Sequence, residues 1–474
     1  MRFAARAKCG VRSAAISAVS ATCLCLIVGS AWMVATAGKA FAGPSFVGVS
    51  SPAAGHPYRF GAMPIHIRGR AGSAFADAAT SSPGLAFGTP IKHDMLYSSG
   101  PVQAGQPRVY LVFWGSQWGT QTTSGGYQVF SGDPDGMARY LEAFYSGLGS
   151  GGETWSATAG QYCQGIVVGS TSCPSSSAHV AYPTSGVLAG VWEDTSYTPP
   201  TGPPASPSTP GATGLQIQQE AANAAIHFGD SSIDAQYVVV SPTGTDPDGW
   251  AVPKTGYCAY HSYTGDTYFG TVLGPNVPYT NLPYIPDAAL STNFGCTEGL
   301  IAYPNHLDGT TEAAGHEYYE TLTDPFQRSG WADAKGYEIG DKCDYLNPGL
   351  PGAETSLTLS TGSFPVQGMW SNQDNHGKGG CVDTSSPIII TNPGKKVSAV
   401  MGTAVDFTIS VYDVLPGATV AFSANGLPTG VSINSATGEV SGTPLTKGSS
   451  LVTVVVTDSS SNAASVSFKM HVAK

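Results

Sequence analysis

Residues 315–325 have the sequence Gly-His-Glu-Tyr-Tyr-Glu-Thr-Leu-Thr-Asp-Pro, in which a glutamate follows a histidine by four positions. In a helix, His316 and Glu320 would lie one turn apart on one face, where they could hold a metal ion together. Glu317 occupies the position at which zinc hydrolases of the His-Glu-x-x-His type place their general base. The segment therefore predicts a variant metallopeptidase helix in which glutamate replaces the second histidine.

Two ligands on one helix need a third from elsewhere, and the nearest carboxylates lie in residues 336–343. Glu338 is the first candidate, because gluzincin-like enzymes use a glutamate downstream of the helix, and Asp341 is the second. His306 or His261 could also join a zinc site. Because one histidine with two carboxylates is a harder donor set than the usual two histidines, zinc is expected while calcium and manganese stay open.

Acidic residues are concentrated around this motif, although charged residues make up only 11% of the chain. A crowd of carboxylates without a cation would repel itself. The acidic residues are Glu312, Glu317, Glu320, Asp324, Asp333, Glu338, Asp341 and Asp344. The alternative is an amphipathic helix whose polar side chains face solvent or pair with basic residues. The crowding favours a metal centre.

The motif helix has recognisable ends in the sequence. Asp308 or Thr310 can cap its N-terminus, and Asp324 followed by a proline ends it after about fifteen residues. Gly315 costs a helix about 1 kcal/mol relative to alanine. Close approach of a strand or substrate, or crowded packing, would explain that glycine.

The N-terminus has the pattern of a secretory signal. Basic residues precede an apolar stretch from about residue 14 to residue 37, and Ala40-Phe-Ala42 forms a cleavage site before Gly43. An uncleaved membrane anchor is the alternative, since the stretch is long enough to span a bilayer. Residues 1–42 hold five basic and no acidic residues, so cleavage changes the net charge from −11 to −16. Such an acidic secreted chain, in which no later segment could span a membrane, is not expected to bind nucleic acid or anionic lipid.

Six cysteines follow the signal and predict three disulfides in an exported chain. They are Cys163, Cys173, Cys258, Cys296, Cys343 and Cys381. Six cysteines allow 15 pairings. The simplest pairing joins neighbours in chain order, so that each bond closes a local loop.

Composition and periodicity divide the remaining chain into three parts. Residues 43–95 are rich in Gly, Ala, Ser and Pro and are expected to be a pro-segment or flexible arm. In residues 96–385, strand patterns at Val109–Trp114 and Tyr237–Ser241 alternate with helical patterns at about residues 134–145 and 215–228. This alternation predicts an α/β (or α+β) main domain, in which residues 195–214 form a Pro-rich loop.

Residues 386–474 are expected to form an all-β sandwich, because short apolar and alternating runs are separated by turn residues. Within it, residues 426–444 (Gly-Leu-Pro-Thr-Gly-Val-Ser-Ile-Asn-Ser-Ala-Thr-Gly-Glu-Val-Ser-Gly-Thr-Pro) resemble the immunoglobulin-like, cadherin-like module at the ends of bacterial secreted proteins. The resemblance implies a spacer or adhesion unit, and some cadherin-like relatives bind calcium. Candidate calcium ligands are Asp406, Asp413, Glu439 and Asp458, with solvated carboxylates as the simpler interpretation.

A second resemblance spans roughly residues 98 to 384. It is carried by Val109-Tyr-Leu-Val-Phe-Trp114, Gly256-Tyr-Cys-Ala-Tyr-His261, the His316 motif with Thr323-Asp-Pro-Phe, and Glu338-Ile-Gly-Asp-x-Cys. These segments are similar to a bacterial branch related to the exordium, or phosphate-induced, secreted proteins of plants. The resemblance implies export and a shared fold rather than a reaction.

Two hypotheses for function follow from these patterns. The first is a secreted metal-dependent hydrolase, a zinc peptidase acting on extracellular protein or peptide, with Tyr318, Tyr319 or His261 stabilising the oxyanion. His261 is otherwise expected to be a structural hydrogen-bonding residue. The second is a non-catalytic extracellular protein for adhesion or polysaccharide binding, in which the same residues hold a structural cation such as calcium.

Overall fold

The computed structural model describes residues 93–199, 211–250, 256–288, 296, 306–344, 346, 352–374, 379–413, 415 and 417–474. The expected signal at residues 1–42 and most of the expected arm at residues 43–95 lie outside the described residues. Met95, at the end of that arm, is buried, and its backbone exchanges two hydrogen bonds with the side chain of Asn372. We call residues 93–385 the disulfide region and residues 386–474 the C-terminal region.

The regular secondary structure of the described residues is mostly β-sheet, and the disulfide region adds three α-helices. The helices are α1 (Met137–Gly147), α2 (Gly214–Phe228) and α3 (Asp308–Thr323). The strands of this region are β1 (Leu96–Tyr97), β2 (Arg108–Trp114), β3 (Gln121–Ser124), β4 (Tyr127–Phe130), β5 (Cys163–Gln164), β6 (Ala178–His179), β7 (Leu188–Asp194), β8 (Ala235–Val240), β9 (Tyr260–Tyr263), β10 (Pro278–Leu282), β11 (Trp331–Ala332), β12 (Thr355–Leu359), β13 (Gly362–Val366), β14 (Met369–Ser371) and β15 (Gly380–Val382).

A five-stranded sheet with the order β7-β2-β8-β10-β9 forms the centre of the disulfide region. The first four strands are parallel, and β9 pairs antiparallel with β10. Strands β2 and β8 are almost continuous runs of Val, Tyr, Leu and Phe, as expected where helices and loops cover both faces of a parallel sheet. The edge strand β9 places His261 opposite Thr280 of β10.

The helices have local sequence causes. Helix α1 buries Met137, Leu141 and Phe144 on one side. Helix α2 begins with a reciprocal capping box between Thr213 and Gln216, and it ends where Gly229 adopts the left-handed conformation. Helix α3 is buried along its whole length and contacts β9, β10, β13 and α1.

The C-terminal region is entirely β-structure in its described residues. Its strands are β16 (Ile388–Ile390), β17 (Lys396–Val400), β18 (Val405–Thr408), β19 (Val411–Asp413), β20 (Val420–Asn425), β21 (Val431–Ile433), β22 (Glu439–Gly442), β23 (Gly448–Asp458) and β24 (Ala463–Ala473). The sheets have the orders β17-β24-β23-β20, β18-β22-β21 and β16-β19. They enclose a core of mainly Val, Ile and Phe side chains that is separate from the core of the disulfide region.

The two regions meet at a small apolar cluster in which Ala157 and Tyr182 pack with Ile389. Beside it, the rings of His179 and Tyr412 stack with centroids 4.0 Å apart. No helix among the described residues combines the length and apolar character needed to cross a bilayer.

Candidate metal centre

Helix α3 places His316, Glu317 and Glu320 in the interior, and all three residues are 0% exposed. A solvent-facing helix, the simpler alternative from the sequence, is therefore wrong. The predicted caps are also wrong, because Leu307 is the cap residue of α3, has a helical conformation and makes no side-chain cap hydrogen bond.

Crowded packing accounts for the glycine before the motif. A Cβ added to Gly315 would lie 3.1 Å from a ring atom of Trp155 and 3.5 Å from a ring atom of Phe144. Neither ring belongs to a strand, so packing by side chains of other elements explains the glycine.

The loop after β11 brings Glu338 and Asp341 to the helix. His316 Nε2 lies 2.9 Å from Glu320 Oε1 and 3.7 Å from Asp341 Oδ1. The backbone N–H of Asp341 donates to Glu320 Oε1, and the backbone N–H of Glu338 donates to Asp341 Oδ2. These bonds hold the turn of residues 338–341 against the face of α3 that carries the motif.

Strand β9 adds a second imidazole. His261 Nδ1 lies 3.3 Å from both Glu317 Oε2 and Glu320 Oε2, and its Nε2 lies 3.6 Å from Glu338 Oε1. The expectation that His261 is mainly a structural hydrogen-bonding residue does not anticipate its place among these three carboxylates. By contrast, the exposed His306 belongs to none of the metal-compatible groups found among the described residues.

Gln367 orients the imidazole of His316, and nothing in the sequence marks it. Its amide nitrogen donates to the carbonyls of Gly340 and Gly368, so its Oε1 faces His316 Nδ1 at 3.1 Å. Because an amide oxygen only accepts, Nδ1 of His316 must carry the proton, which leaves a lone pair on Nε2 when the ring is neutral. Gly340 lies under the same ring, where an added Cβ would be 2.9 Å from three ring atoms.

The cluster formed by His261, His316, Glu317, Glu320, Glu338 and Asp341 is electrostatically coupled. Burial lowers the pKa of His261, but the adjacent carboxylates of Glu317 and Glu320 outweigh it and raise this pKa to about 10. Burial raises the pKa of Glu338 well above its ordinary value, and the charges of Glu320, Asp324 and Asp341 raise it further. Burial, followed by the charge of Glu320, raises the pKa of Asp341 to about 7.

The donor atoms fit a cation. Two groups of three side chains offer ligand atoms within 4.8 Å of one another, namely His261, Glu320 and Glu338, and His316, Glu317 and Glu320. Among the described residues, His261 Nε2, His316 Nε2, Glu320 Oε2 and both oxygens of Glu338 lack a hydrogen-bond partner. Buried polar atoms are normally satisfied, so such a set in one place points to a missing ligand.

The two tyrosines predicted as oxyanion stabilisers have different surroundings. The Tyr319 hydroxyl donates to the backbone carbonyl of Trp155. The ring of Tyr318 packs edge-on against that of Tyr145. The assignment of Tyr319 to the oxyanion is therefore wrong, whereas that of Tyr318 stays a prediction, because its buried hydroxyl lacks a hydrogen-bond partner among the described residues.

Three disulfides, Cys163–Cys173, Cys258–Cys296 and Cys343–Cys381, join neighbours in chain order. Two of them lie close in sequence to the cluster, since Cys258 precedes His261 by three residues and Cys343 follows Asp341 by two. They restrain the segments that carry these two residues.

The comparisons with known proteins concern a part of the chain only. Residues 387–473 match the family described as "Putative Ig domain", so the C-terminal region contains an Ig-like domain. The resemblance over residues 98 to 384 stays a prediction. No curated protein is significantly similar in sequence to the chain.

Solved structures give short matches. A "putative alpha-galactosidase" from Bacteroides fragilis is 24% identical, with 18% of this chain and 17% of that chain covered and a TM-score of 0.16. The BIgI domain of the beta protein from S. agalactiae, bound to CEACAM1, is 21% identical over 18% of this chain and 97% of that chain, with a TM-score of 0.14. The chain thus spans less than a fifth of the galactosidase, and TM-scores this low support no functional transfer.

Proposed function

We propose that the chain is a secreted metal-dependent hydrolase, specifically a zinc peptidase. In this proposal His316, Glu320 and Glu338 hold the ion, with His261 and Asp341 as further donors. The observation that carries the proposal is the convergence of these buried side chains, from α3, β9 and the 338–341 turn, on one set of unsatisfied donor atoms. A bound zinc ion would act as a Lewis acid toward a substrate carbonyl and would acidify water beside it.

Glu317 is the proposed general base. Burial raises the pKa of its carboxyl above the ordinary value, and the hydrogen bond with His261 opposes that rise. A carboxylate whose pKa is moved toward neutrality suits proton transfer near pH 7. Glu317 would take a proton from the attacking water and pass it to the leaving amine, while the contact with His261 Nδ1 fixes the orientation of its carboxylate.

The donor set bears on the choice of metal. Calcium takes oxygen ligands, whereas imidazole nitrogen suits zinc and other transition metals. The presence of His261 beside His316 brings the cluster to two imidazoles, which supports zinc over calcium.

Export and domain roles complete the proposal. Three disulfides and an Ig-like domain are compatible with an extracellular protein. We assign residues 96–385 to an α/β catalytic domain, supported by the four parallel strands and the three helices. The substrate would be an extracellular protein or peptide, and the Ig-like domain would contact a cell surface or polysaccharide.

Burial favours a second candidate function, a non-catalytic adhesion or polysaccharide-binding protein with a structural cation such as calcium. The side chains of His261, His316, Glu317 and Glu320 are 0% exposed, and that of Glu338 is 2% exposed. A structural ion needs no route for substrate, whereas a catalytic one does. The two candidates differ in whether the metal-loaded protein cleaves peptides.

The test is metal analysis by mass spectrometry on the purified protein, together with casein and peptide-library cleavage. The wild type should carry zinc and cleave, and His316→Ala should lose metal and activity. Glu317→Gln should keep its metal while cleavage falls by about 10²–10⁴-fold. Glu142→Gln, a buried acid on α1 outside the cluster, is the matched control and should behave as wild type.

Each part of the proposal can fail separately. Unchanged cleavage by metal-loaded Glu317→Gln would remove Glu317 from its role as base. Absence of cleavage at full metal loading, together with binding on a glycan array, would establish the second candidate.

A further inference from the structure

We propose that the cluster binds two divalent cations, with the carboxylate of Glu320 shared between them. This inference deepens the proposed function and rests on its metal centre. The first ion would be held by His316 Nε2 and Glu320 Oε1, with Asp341 Oδ1 3.7 Å from His316 Nε2. The second would be held by the group of His261, Glu320 and Glu338.

The two histidines are prepared in the same way. His316 donates from Nδ1 to Gln367 Oε1 at 3.1 Å, and His261 Nδ1 faces Glu317 Oε2 at 3.3 Å. In both rings Nε2 is buried without a hydrogen-bond partner among the described residues. A ring whose one nitrogen donates to a neighbouring acceptor presents the other as a metal ligand. Two such rings therefore give two ligand nitrogens.

Each ring has a carboxylate of its own. Asp341 Oδ1 lies 3.7 Å from His316 Nε2, whereas Glu338 Oε1 lies 3.6 Å from His261 Nε2. Both oxygens of Glu338 lack a hydrogen-bond partner, although the residue is only 1% exposed. The turn of residues 338–341 thus supplies one carboxylate to each ring.

Glu320 is the side chain that connects the two sets. Its Oε1 lies 2.9 Å from His316 Nε2, and its Oε2 lies 3.3 Å from His261 Nδ1. It is also the one residue common to the two metal-compatible groups found among the described residues. A carboxylate with one oxygen toward each imidazole can bridge two ions, which in two-metal sites lie about 3.5–4 Å apart.

Charge balance supports two ions over one. The cluster holds four carboxylates, and the nearby Lys342 is paired with Asp333 instead. One divalent ion beside neutral imidazoles would leave two buried negative charges, whereas two divalent ions balance all four. Uncompensated buried charge is expensive, so the other two carboxylates must take up either protons or a second ion, and the donor atoms for a second ion are already in place.

Two ions would extend the proposed chemistry. In two-metal hydrolases the ions stabilise both the attacking and the leaving atoms of the substrate. Imidazole with carboxylate donors suits Zn²⁺ and also Mn²⁺. The corresponding substrates are amides or esters with a polarisable carbonyl.

The test measures stoichiometry in the full-length chain. Metal-free protein is titrated with Mn²⁺, bound metal is counted by mass spectrometry after gel filtration, and electron paramagnetic resonance follows the spectrum. Two ions per chain are expected, with a spin-coupled signal growing in at the second equivalent. His261→Gln and His316→Gln should each bind one ion without coupling. Glu320→Gln should weaken both sites at least tenfold, and Glu142→Gln should still bind two.

The outcomes separate this inference from the proposed function. One ion per chain at saturation, with an uncoupled spectrum, would overturn the two-ion centre and leave the mononuclear hydrolase intact. No bound ion would overturn both. Because the wild-type count and spectrum need no variant, the result does not depend on whether the substitutions fold.

Discussion

Buried carboxylates in the two regions of the molecule have different surroundings. In the C-terminal region, Asp458 is 6% exposed and accepts from the backbone N–H groups of Ser460 and Asn462 and from the Asn462 side chain. In the disulfide region, Glu338 is 1% exposed, and neither of its oxygens has a hydrogen-bond partner among the described residues. Asp458 organises a turn, whereas Glu338 has no such donors in the described part of the chain, and its Oε1 lies 3.6 Å from His261 Nε2.

Burial alone therefore does not identify a functional carboxylate. A buried acid whose oxygens are satisfied by backbone donors is a structural element, as in Asx-type turns. A buried acid left unsatisfied beside histidines and other acids is a candidate ligand. By this criterion Asp458 has less support as a calcium ligand than the cluster around Glu320 has as a metal centre, whereas Asp413 keeps one oxygen without a partner among the described residues.

The largest effect that tests this contrast is metal removal. Chelation should destabilise the disulfide region by about 4 kcal/mol, if the metal had been present at about a thousand times its dissociation constant. The C-terminal region should keep its stability. All tryptophans of the described residues lie between Trp114 and Trp370, so tryptophan fluorescence during urea unfolding reports on the disulfide region.

Hydrogen exchange at the amides of β23 and β24 reports on the C-terminal region in the same samples. Added zinc should restore the fluorescence transition. Equal loss of protection in both regions after chelation, or no loss in either, would contradict the contrast.

The elements that are local in sequence could be predicted. The strands expected at 109–114 and 237–241 are β2 and β8, and the helices expected near 134–145 and 215–228 are α1 and α2, each within a few residues. Their causes are periodic apolar patterns and local stop signals such as Gly229, which do not depend on distant contacts. The spacing of His316, Glu317 and Glu320 is also a local pattern, so the sequence alone predicts that these residues share one region of a helix.

The rest of the cluster depends on long-range packing. His261 comes from a short edge strand whose Tyr-His-Ser-Tyr sequence has little apolar periodicity, and it lies 56 positions from Glu317. Gln367 lies 51 positions from His316, in a segment without any motif. The prediction of Asp308 or Thr310 as the cap was wrong because Leu307, the residue before α3, already has a helical conformation. A single sequence carries little record of such contacts.

The next effect concerns Gln367, which has no counterpart in the C-terminal region. Gln367→Ala should reduce metal affinity about 10–100-fold, because His316 would lose the acceptor that fixes its tautomer and ring orientation. The check is competition with a fluorescent zinc chelator at pH 7.5. Gln367→Glu restores an acceptor for Nδ1 and should recover most of the affinity. Equal affinity in Gln367→Ala and wild type would show that packing alone orients the ring.

The smallest expected effect contrasts Glu142 of α1 with Asp458. Burial raises the pKa of Glu142 to about 7, and the hydrogen bond from the backbone of Gln128 only partly opposes the rise. Because the folded pKa exceeds the unfolded one, the favourable contribution is complete below about pH 4.5 and is lost as the pH rises through about 7. Glu142→Gln should therefore leave stability unchanged at pH 4 and raise it at pH 8.

The expected gain at pH 8 is roughly 1–2 kcal/mol after allowance for solvent screening. Urea unfolding followed by tryptophan fluorescence at both pH values measures it. Asp458→Asn should lower the stability at pH 8. The amide nitrogen of asparagine cannot accept the hydrogen bond that Asp458 Oδ2 accepts from the Asn462 side chain, so the turn loses that bond. Hydrogen exchange in β23 would detect that loss. If both substitutions stabilised the chain at pH 8, the number of hydrogen bonds that a buried acid accepts would not be what distinguishes Glu142 from Asp458.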